Sequence, residues 1–118
     1  MIPGIRFGGI ASGIKIAALD LGLVVFDEPA YLTAVYTKNR VKSAHILYNK
    51  KLRSKQVRAL LVNSGCANAC TGLDGIADLK SLSEKLSSSL KVPTREIVFA
   101  STGVIGRRLP TETIEKAL

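Results

Sequence analysis

The chain has 118 residues, 17 of them Lys or Arg against 9 Asp or Glu, for a formal charge of +8. That length is one domain's worth or part of a larger one, and a hydrophobic share of 47% is high for so small a core; it implies apolar surface buried against a partner chain, a symmetry mate or a continuation, or else a compact β-rich core of Val, Leu and Ile. No apolar run approaches the roughly 18 residues that suggest a membrane-spanning helix, and residues 1–9 read as neither secretory signal nor transit peptide, so the cytoplasm is the expected compartment.

In chain order, the first twenty residues hold four of the ten glycines and read as irregular chain or a short edge strand. Residues 21–26 form an apolar, β-branched strand, with Asp27-Glu28-Pro29 as the turn behind it. Residues 32–37 are expected as a second strand and residues 44–48 as a third, followed by a basic loop over residues 50–55. Residues 58–63 (Arg-Ala-Leu-Leu-Val-Asn) make a nearly continuous apolar run, as in a strand buried on both faces. Residues 64–72 then carry small side chains, which permit close backbone approach to a neighbouring segment or ligand.

Asp74 is the expected N-cap of a helix running to about Leu90. Its Leu79, Leu82, Leu86 and Leu90 form one apolar stripe, with Ser81, Ser83, Lys85 and Ser87 mostly facing away, and Pro93 closes it. Residues 96–100 form another strand. A strand–helix–strand unit of this length is a crossover, which predicts some parallel pairing. Leu109-Pro110-Thr111-Glu112 opens a last helix, with Pro in its first turn. Its i, i+4 stripe of Ile114 and Leu118 has only begun where the chain stops, the pattern expected of a chain cut in mid-domain.

The charge is uneven. No acidic residue falls between Glu28 and Asp74, whereas Lys38, Arg40, Lys42, Lys50, Lys51, Arg53, Lys55 and Arg58 all do. Such a stripe suits nucleic acid, an acidic partner or a small anionic substrate; solvated strand edges and loops are the plainer reading, and the preferred one. Cys66 and Cys70 lack the further ligands a zinc site needs, and His45, the single histidine, is remote in sequence. They are expected to be buried small hydrophobes.

Two segments carry chemistry: residues 63–72 (Asn-Ser-Gly-Cys-Ala-Asn-Ala-Cys-Thr-Gly) and residues 100–106 (Ala-Ser-Thr-Gly-Val-Ile-Gly). The second follows a strand directly, and its glycines can free backbone N–H groups to bind an oxyanion, carboxylate or phosphate, with Thr102 adding a hydroxyl. An ordinary turn that uses Gly for positive φ is the alternative. No Gly-Lys-Ser/Thr follows, so this is not a P-loop.

Together these segments closely resemble the two signature segments of the ornithine acetyltransferase / glutamate N-acetyltransferase family. Residues 9–15 (Gly-Ile-Ala-Ser-Gly-Ile-Lys), the strand over residues 20–25, Pro29-Ala30 and residues 36–42 resemble it too, in the family's order and near its spacing. The resemblance covers essentially residues 1–118. It implies an α/β fold, an α+β layered sandwich of which this chain is the N-terminal, α-chain part and is incomplete alone.

The resemblance further implies a longer precursor that cleaves itself before a threonine. The new N-terminal threonine of the β chain then takes acetyl from N-acetylornithine and passes it to glutamate in arginine biosynthesis. Bifunctional members also accept acetyl-CoA as an acetyl donor; no resident cofactor or metal is expected. The family's oxyanion hole maps onto Thr102 and Gly103. Cys66 departs from the pattern, standing where asparagine is common. The nucleophile and the substrate-binding residues are expected beyond Leu118, so the isolated chain is expected to be inactive and to need the β chain as partner. A small basic nucleic-acid-binding module and an inactive structural piece are the alternatives, and the basic stripe has no role in the leading reading.

Overall fold

In β3 (Gln56–Cys66) the side chains of Val57, Ala59, Leu61 and Asn63 are buried on one face of the sheet, the period-two pattern of a strand covered from one side. A computed structural model describes residues 1–118. It contains β1 (Ile5–Ile10), β2 (Leu21–Tyr31), α1 (Ala44–Lys51), β3, α2 (Gly72–Leu90), a single 3-10 turn at Thr94–Glu96, β4 (Ile97–Val104) and α3 (Thr111–Ala117). The sheet order is β1-β2-β3-β4. The first two pairings are antiparallel, and β3 with β4 is parallel. α2 is the crossover between the parallel strands, as the strand–helix–strand pattern predicts.

The helices supply one layer over one sheet face. Leu79, Leu82 and Leu86 of α2 pack with Ala44 and Tyr48 of α1 onto Leu21, Ala59, Leu61, Ile97 and Phe99. The Tyr48 and Phe99 rings meet edge to face at 5.2 Å, the geometry their quadrupoles favour. The opposite face, read across the register, carries Phe7, Val24, Leu60, Val62 and Val98. Phe7 there is 73% exposed. Residues 58–63 are therefore buried on one face rather than two, because every helix of the core lies on the same side.

Several local expectations are corrected. Residues 32–37 are not a strand. Instead of turning at Asp27-Glu28-Pro29, β2 passes through a register shift between Val25 and Ala30 and ends paired at Tyr31↔Gln56. Gln56 is the first residue of β3, so chain beyond Tyr31 has no strand left to pair with. Residues 44–48 are helical: Ala44 and Tyr48, one i, i+4 pair, are the buried positions of α1, and Lys50 and Lys51 sit in its last turn, where the helix dipole favours cations. So short an apolar run has no decisive period.

Finally, α2 starts before Asp74, which lies in its first turn. The helix ends at Lys91 in the left-handed conformation (φ 56°), ahead of Pro93. Ser83, expected to face outward, is buried; it stands four residues after Leu79 and three before Leu86, on the stripe itself.

The outer edge of β4 is partly closed by a side chain. Asn49 of α1 donates from Nδ2 to the Phe99 carbonyl (2.8 Å) and accepts from the Phe99 N–H at Oδ1 (3.1 Å). An amide thus takes the place of a neighbouring strand.

Candidate functional site

The C-terminal ends of β3 and β4 run side by side, with Ser64 opposite Thr102, Gly65 opposite Gly103 and Cys66 opposite Val104. Thr102 and Gly103 are both exposed. Gly103 has φ +129°, and a Cβ on it would lie 2.6 Å from Cys66 N and 2.7 Å from Gly65 Cα. Both are backbone atoms, so only glycine allows the strands this approach. Gly65 (φ +99°) is constrained from the other side: a Cβ there would lie 2.8 Å from Lys15 Cγ and 2.9 Å from Ile14 Cγ2. The segment carrying Ile14 and Lys15 therefore lies directly on the glycine pair.

Asp20 fixes that segment. Its carboxylate, 3% exposed, accepts from the Ser12 N–H and hydroxyl (2.7 Å each), the Gly13 N–H (3.2 Å) and the Lys15 N–H (2.8 Å). Burial alone would raise its pKa, but the hydrogen bonds from Lys15, Ser12 and Gly13 outweigh it and hold the carboxyl well below its ordinary 3.8; each favours the charged form. A group with a lowered folded-state pKa contributes stability that is fully present above the unfolded value and is lost as pH falls through the folded one. Asp20→Asn is accordingly expected to lower the melting temperature at neutral pH. The gap to the parent protein should persist at about pH 5 and narrow only below about pH 4. Melting curves across that range check it; a gap unchanged at about pH 2 would contradict the cage.

The two small-residue segments are strapped together. The Ala67 N–H donates to Val104 O (2.9 Å) and the Gly106 N–H to Ala69 O (2.8 Å). Cys66 is buried and donates from Sγ to Arg107 O (3.2 Å), a contact that suits a small polar side chain. Asn63 Nδ2 donates to Cys66 O (2.9 Å). Asn68 is wholly buried at φ 49°; its Nδ2 donates to Gly75 O (3.2 Å), and its Oδ1 accepts from the Thr71 hydroxyl (2.8 Å). These bonds make residues 63–72 a braced turn that leads into α2.

Lys15 Nζ donates to Ser64 Oγ (3.3 Å). A cleft of about 240 Å³ opens beside Ser64, lined also by Gly9, Leu19, Asp20, Leu21, Gly22 and Val62. Thr102 shares the sheet face of Ser64, because directly paired residues point the same way. The arrangement brings an exposed hydroxyl, a glycine held in a conformation reserved to glycine, and an ammonium to one end of the sheet. Such a set can stabilise negative charge on an oxygen.

Other singled-out residues lie elsewhere. Cys70 is exposed rather than buried; at φ 59° it stands on the turn into α2, outside the helix layer. His45 is on α1, its Nδ1 buried without a hydrogen-bond partner, and burial lowers its pKa. The basic stripe is divided among the irregular segment 32–42, the last turn of α1, the loop 52–55 and β3. Within it Lys50 lies over the Tyr36 ring at 5.9 Å, and Arg58 donates from Nε to Phe26 O (2.8 Å).

Sequence reasoning gave no role to Lys15, Asp20 or the Arg108–Asp78 pair. In that pair Nε and Nη2 of Arg108 reach the two carboxylate oxygens at 3.0 and 2.6 Å, pinning the chain after β4 to α2. A signal for it existed: Asp78 precedes Leu82 and Leu86 at intervals of four, an acidic residue on an apolar stripe.

The profile of the ArgJ family matches residues 6–118. The arginine biosynthesis bifunctional protein ArgJ of Thermotoga neapolitana is 36% identical over 118 residues, covering 98% of this chain and 30% of that protein. ArgJ of Thermobifida fusca is 44% identical over 110 residues, covering 91% and 29%. The crystal structure of ArgJ from Bacillus halodurans superposes with a TM-score of 0.93 at 35% identity, over 98% of this chain and 61% of that one. Ornithine acetyltransferase from Mycobacterium tuberculosis, complexed with ornithine, gives 0.89 at 39%, over 97% and 63%. The chain thus spans about 30% of the length of the curated relatives it matches, and its mixed sheet with a helix layer is part of their fold.

Proposed function

This chain belongs to the ArgJ family, and we propose that it supplies the oxyanion-stabilising part of a glutamate N-acetyltransferase / ornithine acetyltransferase of arginine biosynthesis. The reading rests above all on Gly103. This exposed residue has φ +129° and no room for a Cβ, and it follows Thr102 at the end of a parallel strand. That is a local geometry suited to presenting donors to a developing oxyanion.

In this reading the nucleophile is a threonine of a β chain produced from the same precursor. Its hydroxyl attacks the acetyl carbonyl of N-acetylornithine, the C–N bond breaks, and ornithine leaves with the proton. The amine of glutamate then attacks the acetyl-threonine ester, releasing N-acetylglutamate and the free hydroxyl. Negative charge develops on the same carbonyl oxygen in both halves, so one pair of donors serves both. Acetyl-CoA, where accepted, is a second acetyl donor and not a resident cofactor. The apolar sheet face of Phe7, Val24, Leu60 and Val62 suits packing by the remainder of the precursor.

The test is acetyl transfer from N-acetylornithine to glutamate, assayed on this chain and on the complete protein. Activity is expected only in the complete protein, accompanied by its separation into two chains. A complete protein that cleaves but transfers no acetyl group would overturn the reading.

A further inference from the structure

Lys15 is the basic side chain that the site geometry holds most firmly and the proposed reaction does not yet use. Three independent constraints place it. Its backbone N–H is bound by the buried carboxylate of Asp20 at 2.8 Å. Its stem lies over Gly65, where a Cβ would come within 2.8 Å of Cγ, so any other residue at position 65 would displace it. Its Nζ donates to Ser64 Oγ at 3.3 Å, and Ser64 is the direct ladder partner of Thr102.

Adjacent strands lie about 4.8 Å apart and paired residues share a face, so the ammonium is bound to a hydroxyl one strand away from Thr102. The Lys15 ammonium is in no ion pair: those of the chain are formed by Arg6, Arg95 and Arg108. The nearby Asp20 carboxylate is occupied by N–H and O–H groups instead.

We propose that Lys15 is a positioning residue of the oxyanion site, its ammonium anchored on Ser64 to add positive potential where Thr102 and Gly103 meet the acyl oxygen. The inference rests on the acetyl-transfer reading and deepens it. A fixed cation near this oxygen interacts more strongly with the charged transition state than with the neutral amide of bound substrate. Its removal therefore lowers kcat while leaving KM nearly unchanged.

The experiment compares Lys15→Met and Lys15→Arg in the complete enzyme, with N-acetylornithine and glutamate as substrates and melting temperature measured alongside. Lys15→Met, close in shape but uncharged, is expected to lower kcat about tenfold with KM within about twofold. Lys15→Arg is expected to restore most of the loss, and both variants to melt with the parent. An unchanged kcat in Lys15→Met overturns the inference. So does a loss confined to KM, which marks a ground-state substrate contact, and so does an equal loss in both variants with a lowered melting temperature, which marks packing alone. If Thr102→Ala is impaired while Lys15→Met is not, only this inference fails. A complete parent enzyme without acetyl transfer overturns both.

Discussion

Thr102→Ala in the complete protein is expected to lower the turnover of acetyl transfer by about 10²–10³-fold, the usual consequence of losing one oxyanion donor. Thr102 is exposed and lies outside the buried core, so its methyl and hydroxyl contribute little to packing. The melting temperature should therefore stay within a degree or two of the parent's, roughly the range of a surface substitution. An interaction made only with the charged transition state appears in kcat and kcat/KM together, with KM little changed. Thr102→Ser keeps the hydroxyl and should recover most of the rate. Steady-state kinetics on the three proteins decide the matter: turnover unaffected in Thr102→Ala removes the residue from the oxyanion site.

Gly103→Ala is expected to be more damaging, because it adds a folding defect to a catalytic one. The new methyl would meet Cys66 N and Gly65 Cα at 2.6 and 2.7 Å, and hydrogen-bonded ladder backbone cannot swing aside as a side chain can. The φ of +129° adds strain for any L-residue, of order 1–3 kcal/mol. Either β4 separates from β3 at this end or the peptide rotates, and both move the donor by more than hydrogen-bond geometry tolerates. Turnover should fall at least as far as in Thr102→Ala, with a melting temperature lower by several degrees. Gly106→Ala is the control for backbone strain alone, since Gly106 has φ +83° but open space where its Cβ would go. If Gly103→Ala melts no lower than Gly106→Ala, the close approach is not what demands glycine.

The parts of this fold that were legible in the sequence are those with a sustained period or a long apolar run. The stripe of Leu79, Leu82 and Leu86 led to α2, and the run ending at Asn63 led to β3. With a strand on each side, α2 read as a crossover, and the expected parallel pairing is that of β3 with β4. Thr102 and Gly103 were visible as a strand-to-loop turn rich in small residues. Their tie to Gly65 was not, because no local pattern says which residue of one parallel strand faces which of the next. The helix at Ala44–Lys51 was misread because five apolar or aromatic residues fit either period. Asp20 read only as the start of a strand; its role depends on four donors converging from a loop whose path no periodicity encodes.

The wide spacing of the site along the chain also dictates an order of assembly. Ser64 and Thr102 are neighbours because α2 carries β4 back alongside β3, a closure that pays its loop entropy before any ladder contact rewards it. The ring of donors around Asp20 spans only Ser12 to Lys15 and can close on its own, early and fast. The lysine's cradle can thus be in shape before the strands on which it will rest have met.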